Sequence, residues 1–286
     1  MSSSLTAVAK ETLAAIENGE YRSASGAQVR LRELVDRAVQ NTVLYTPEAL
    51  DRLLARRPIE TAVAAAPRCE VTGETTAEAA RRLVEVEAEP KVAALNFASA
   101  KNPGGGFLSG AKSQEEDLAR TSALYPCLVA QGRYYDANRA HPSLLYTDQI
   151  IYSPEVPFFR DERLEWMEAP FLVSMITAPA PNAGEYLRRE PDGLERVHAA
   201  LESRAEKVLV VAQEKGHRCL VLGAWGCGVF RNDPKDVAEV FAHWLMHPRF
   251  AGAFDRIVFA VYDRSAGAKT RRAFEDRFGA HAVAHP

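Results

Sequence analysis

Regular alternation of short apolar strands and helices places this chain in the α/β class. The final third shows it most clearly: strand Cys219–Gly223, helix Pro234–Met246, strand Ile257–Tyr262 and helix Lys269–Phe278 follow one another. The candidate strands, such as Val92-Ala93-Ala94-Leu95-Asn96, are apolar at successive positions. That pattern belongs to a sheet covered on both faces. At 286 residues, 47% hydrophobic and 26% charged, the chain is long enough to bury a sizeable core.

The elements follow in order. Leu5, Val8, Leu13 and Ile16 predict a helix over residues 4–19, and a short strand is expected at Gln28–Leu34. Thr46-Pro47-Glu48 opens a second helix through Leu50, Leu53 and Leu54. Cys69–Thr72 predicts a strand, and Thr76–Val84 a helix with Thr76 as N-cap. Strand Val92–Asn96 leads through a glycine loop into a helix over Gln114–Leu128. Strands are expected near Leu144–Tyr152 and Leu172–Ile176, then a long helix over Leu194–Lys215. Ser153-Pro154-Glu155-Val156-Pro157 and Ala178-Pro179-Ala180-Pro181 predict loops. Without a Ser/Gly linker or an internal repeat, a single domain is expected, with residues 1–66 as a helical extension on a core of residues 67–286.

Composition excludes several classes. No window approaches the apolar length of a membrane span, so no membrane partner is expected. Cys69, Cys127, Cys219 and Cys227 form no CxxC pair, which predicts reduced thiols and a cytoplasmic protein. A net charge of −3 gives no long-range attraction for DNA, RNA or another polyanion. Any anion must be captured locally, by backbone N–H groups and a few cations.

Two glycine loops suit that task. Asn102-Pro103-Gly104-Gly105-Gly106-Phe107 follows a buried strand and precedes a helix, where open α/β sheets bind ligands. Three glycines permit positive φ and close approach of a diphosphate, although a merely flexible turn uses the same residues. The second loop is Gly223-Ala224-Trp225-Gly226-Cys227-Gly228-Val229-Phe230, with Pro234 suited to the next helix start. Neither is a GxGxxG or Walker A fingerprint, so no nucleotide cofactor is implied.

Ser113-Gln114-Glu115-Glu116-Asp117 lies where a helix begins. First-turn acids complement the helix dipole, and Ser113 with Glu116 fits an S-x-x-E capping box. Beside a bound diphosphate, a carboxyl here has its charged form disfavoured, as a general acid near neutral pH requires. Glycoside cleavage needs such a group to protonate the departing oxygen and then to activate water. Glu116 is the candidate acid and base, and Glu115 the group that positions ribose hydroxyls.

Together, Leu95-Asn96-Phe97-Ala98-Ser99, the triple glycine, seven residues and Gln114-Glu115-Glu116 resemble the bacterial-type poly(ADP-ribose) glycohydrolases. The resemblance covers residues 90–265 well, the Gly226–Phe230 loop included. It implies a macrodomain-like three-layer α/β/α sandwich with a mixed sheet, and hydrolysis of ribose–ribose bonds from chain ends without metal or cofactor. Carried over by position, Glu116 is catalytic and Glu115 its ribose-binding neighbour. Gly104, Gly105 and Gly106 with Gly226, Cys227, Gly228, Val229 and Phe230 fall on the two diphosphate loops, Phe230 against a ribose. Asn96, Asn102 and Gln114 are candidate ligand contacts. Tyr262 falls where macrodomains place an adenine-stacking aromatic; a rim or core tyrosine is the alternative. The implied partners are poly(ADP-ribose), ADP-ribose and ADP-ribosylated proteins, bound by a monomer.

His243 and His247 stand four apart without a third zinc ligand, and Cys227 has no histidine partner. Two other functions compete: an ADP-ribose-binding module without catalysis, and a hydrolase of mono(ADP-ribosyl)ated substrates.

Overall fold

The computed structural model describes residues 4–56 and 66–279; the join between the expected extension and core, residues 57–65, lies outside them. Helix α1 (Leu5–Asn18) starts where the Ser4 side chain accepts the Ala7 N–H and stops at left-handed Gly19. Strands β1 (Glu20–Arg22) and β2 (Gln28–Arg30) form a small hairpin, and α2 (Arg32–Gln40) follows. The strand expected to reach Leu34 therefore ends at Arg30, because Val35 and Ala38 bury one face of a helix instead.

Next come β3 (Val43–Tyr45), α3 (Pro47–Arg56), β4 (Arg68–Thr72) and α4 (Thr76–Arg81). The N-cap of α4 is Thr75, one residue earlier than expected, and it forms a reciprocal capping box with Glu78. After β5 (Val92–Phe97), the single helix expected over Gln114–Leu128 is two, α5 (Gln114–Thr121) and α6 (Leu124–Val129). Ser122 between them is extended and bridges to Phe158, which interrupts the helical ladder. Helix α7 (Gly132–Ala140) precedes the long strands β6 (Ile150–Arg160) and β7 (Trp166–Ala178).

Ser153–Pro157, expected as a loop, lies inside β6. β3 pairs only with Ile150–Tyr152, so beyond that point β6 is an edge. A register shift between Ser153 and Val156 then accommodates Pro154, with Glu155 left-handed at φ 46°. The chain ends with α8 (Ala183–Arg189), α9 (Leu194–Glu214), β8 (Cys219–Leu222), α10 (Pro234–Met246), β9 (Arg256–Ala260) and α11 (Lys269–Phe278).

Among the described residues, seven strands form one mixed sheet in the order β3-β6-β7-β5-β8-β9-β4, antiparallel at β3-β6-β7 and parallel from β7 onward. Successive β5 residues alternate between two cores. Val92 and Ala94 pack with α2, α4, α6 and α7 residues, whereas Ala93 and Leu95 pack with α9, α10 and α11 residues. The architecture is a three-layer α/β/α sandwich. Because β5 and β8 are adjacent and parallel, the loops that leave their C-terminal ends lie side by side.

Candidate active site

A groove of about 1580 Å³ opens over those strand ends. Its centre is the first turn of α5. Ser113 makes no side-chain cap on that helix. Instead Glu116 turns toward the glycine loop, where Oε1 accepts the Gly106 N–H at 2.9 Å. Gly104 and Gly105 both adopt positive φ, 66° and 57°. A Cβ on Gly105 would run into Glu116 Oε1 and approach Glu115 Oε2 to 3.3 Å, so only glycine lets the loop close over both carboxyls.

Glu115 is held from beneath. Its Oε2 accepts the Ser99 N–H at 2.7 Å and its Oε1 accepts Asn96 Nδ2 at 3.2 Å. Burial pushes its carboxyl up to about 8, and neighbouring Glu116 adds to the rise, against the lowering by the Ser99, Asn96 and Gly104 donors. The carboxyl held high in the groove is thus Glu115, with Glu116 beside it on the lining.

Two candidate ligand contacts, Asn96 and Gln114, also brace the site, and Gln114 lines the groove. Asn96 is fully buried, and Nδ2 also donates to Thr177 Oγ1 of the neighbouring strand at 3.2 Å. Gln114 accepts the Phe97 N–H at 2.8 Å and donates to Leu95 O and Thr76 Oγ1, at 2.8 and 3.0 Å. Both amides stitch α5 to the end of β5, and of the two asparagines it is exposed Asn102 that lines the groove.

The backbone donors of the two glycine loops are committed differently. In the first loop, the N–H of Gly104 bonds to Glu115, that of Gly105 to Asn102 O and that of Gly106 to Glu116. The Gly104 and Gly106 donors orient carboxylates, and the Gly105 N–H closes a backbone turn. In the second loop, the N–H groups of Gly226, Gly228, Val229 and Phe230 make no hydrogen bond among the described residues, and all four residues line the groove. Left-handed Gly226 and Arg231, with φ of 72° and 56°, set the curve of this loop. Buried Asn232, which sequence inspection misses, anchors it by donating to Pro181 O and Gly226 O at 2.9 and 3.1 Å. Trp225 anchors the base, donating to Ala178 O at 3.1 Å.

Cys227 lines the groove, but burial pushes its thiol up, so it is a poor nucleophile. Phe230 packs against Tyr146, ring centroids 5.9 Å apart. Tyr262 lies just beyond β9 on the rim, 49% exposed, with the Arg264 guanidinium 4.8 Å from its ring centroid. His243 stands 3.7 Å from Glu202, and no group of three or more potential metal ligands occurs among the described residues.

A family model described as microbial-type PARG, catalytic domain, matches residues 9–161, which include the first loop and both glutamates. The chain belongs to this family. The chain is also similar to solved structures of microbial-type PARG family relatives. Poly(ADP-ribose) glycohydrolase (PARG) from Thermomonospora curvata is 48% identical with a TM-score of 0.89, covering 96% of this chain and 99% of that one. The same enzyme bound to the inhibitor ADP-HPD is 47% identical with a TM-score of 0.87 over the same shares. PARG from Deinococcus radiodurans in complex with ADP-ribose is 47% identical with a TM-score of 0.79, covering 87% of this chain and 98% of that one. The comparison with curated proteins returned no match. In this microbial-type PARG chain no described helix is long and apolar enough to cross a membrane.

Proposed function

We propose that this chain hydrolyses ribose–ribose O-glycosidic bonds of poly(ADP-ribose) and releases ADP-ribose, working from chain ends. The observation that carries the reading is the paired carboxyls in the groove: Glu116 on the Gly106 N–H, with Glu115 buried directly behind it. A binding module needs no second, buried carboxyl there. Glu116 protonates the ribose oxygen departing from the anomeric carbon, the sugar passes through an oxocarbenium-like state, and Glu116 then takes a proton from the attacking water. Burial holds a proton on Glu115 at neutral pH, beside the group that faces the groove.

The remaining assignments follow from which groups have free capacity. The uncommitted N–H groups of Gly226, Gly228, Val229 and Phe230 hold the diphosphate, Phe230 lies against a ribose, and Tyr262 stacks on adenine. Asn102 is the asparagine within reach of the ligand. The start of α1 serves as one wall of the groove. The substrate is carried on ADP-ribosylated proteins, and four free thiols suit the cytoplasm.

The test is product analysis. Incubation with poly(ADP-ribose) is expected to yield free ADP-ribose from the earliest times while the longest chains shorten gradually. Binding without release would favour a module that only recognises ADP-ribose. Release only from mono-modified protein would favour the alternative substrate.

A further inference from the structure

The groove exceeds the size usual for a single small ligand, about 300–1,000 Å³, with its volume of about 1580 Å³. Beyond Glu116, away from the second glycine loop and Tyr262, it continues as a trough along α5. Helices α1 and α4 both pack on α5, and the turn between β6 and β7 closes the end. That turn is tied to both walls: Glu162 lies 3.6 Å from Arg81 of α4, and Arg160 Nε donates to Thr12 of α1 at 3.1 Å.

Charge in the trough is unevenly committed. Glu78 is occupied by the α4 capping box, Asp161 accepts the N–H groups of Arg163 and Glu165, and Glu162 pairs with Arg81. Lys112 and Arg163 are exposed on the lining and, among the described residues, form no ion pair. Arg120, only 2% exposed, also lines it. Its guanidinium makes one hydrogen bond, from Nη1 to Ala111 O at 2.7 Å, and its Nε has no partner. Asp117 and then Glu116 offset part of this charge. A buried cation short of acceptors, next to two uncommitted cations, is suited to an anion.

We infer that this trough binds the ADP-ribose unit on the leaving side of the scissile bond, through that unit's diphosphate. The inference rests on the proposed function. The unit to be released fills the side with the second loop and Tyr262, so the unit that departs through its ribose hydroxyl occupies the other side of Glu116. The trough thereby distinguishes polymer from a lone ADP-ribosyl group.

The experiment compares wild type with the Lys112→Ala/Arg163→Ala double variant on two substrates. One is poly(ADP-ribose); the other is ADP-ribose bearing a chromogenic phenol on its anomeric carbon, which has no second unit. The KM for polymer should rise about three- to tenfold with kcat little changed and a shallower salt dependence. Kinetics on the phenol glycoside should not change. An unchanged KM for polymer, or an equal change on both substrates, overturns the inference. Wild-type protein that cleaves neither substrate overturns the proposed function and the inference with it, an outcome distinct from loss of the substrate difference.

Discussion

The Glu116 carboxylate accepts the Gly106 N–H at 2.9 Å and leaves Ser113 without a side-chain cap. The carboxylate that could close a capping box with Ser113 is thus fixed against a loop instead. The exchange makes local sense only if that carboxylate has work in the groove.

Polymer hydrolysis should fail on the alkaline side. Burial holds the Glu115 carboxyl protonated up to about 8, so the site loses that proton as pH rises through that value. The expected profile of kcat/KM falls above about pH 8; a profile flat to the onset of alkaline denaturation would contradict a role for the Glu115 proton.

Stability should follow the same group. The folded carboxyl of Glu115 titrates above its ordinary value of 4.5, so between there and about 8 the native state keeps a proton that the unfolded chain has released. The associated stability is complete below the unfolded value and is lost as pH rises through the folded one. Glu115→Gln should therefore be more stable than wild type at pH 8, by on the order of a few kcal/mol, with the gap shrinking toward pH 5. Urea denaturation at the two pH values measures this, and a pH-independent difference would contradict it.

Gly105→Ala should inactivate without unfolding. Its φ of 57° and the Glu116 oxygen in the path of a Cβ force loop and carboxylate apart. A loss of roughly 100-fold in kcat is expected, the scale of a misplaced catalytic group. Gly132→Ala, where a Cβ meets nothing within 4 Å, is the matched control; equal behaviour of the two variants would refute the packing argument.

Tyr262→Ala should weaken ADP-ribose binding by about tenfold, the scale of one aromatic–base stack. The ring is 49% exposed, so little stability is at stake. Calorimetric titration with ADP-ribose checks this, and an unchanged Kd would leave Tyr262 a rim residue.

Buried regular elements were legible in the sequence, and commitments between amides were not. Helices α10 and α11 fall where apolar periodicity, Pro234 and the preceding strands predict them, because each buries one continuous face. Proline misled at Ser153–Pro157, since its exclusion from strands weakens at an edge, and β6 becomes an edge only through tertiary pairing. In the site, the glycines and the two glutamates announce themselves by spacing. That Asn96 and Gln114 spend their amides on Glu115, Thr177 and backbone is set by the β5–β7 register and the docking of α5, which one-dimensional pattern does not carry. Asn232 gave no signal beyond its place in a loop, yet it anchors the second loop.

The central claim is that Glu116 moves the protons while the rest of the site binds. Turnover of poly(ADP-ribose) and the Kd for ADP-ribose, measured side by side for wild type and Glu116→Gln, test it most directly. The predicted result is a loss of roughly 1,000-fold or more in kcat with ADP-ribose affinity within about threefold. Near-normal turnover in the variant would contradict the assignment.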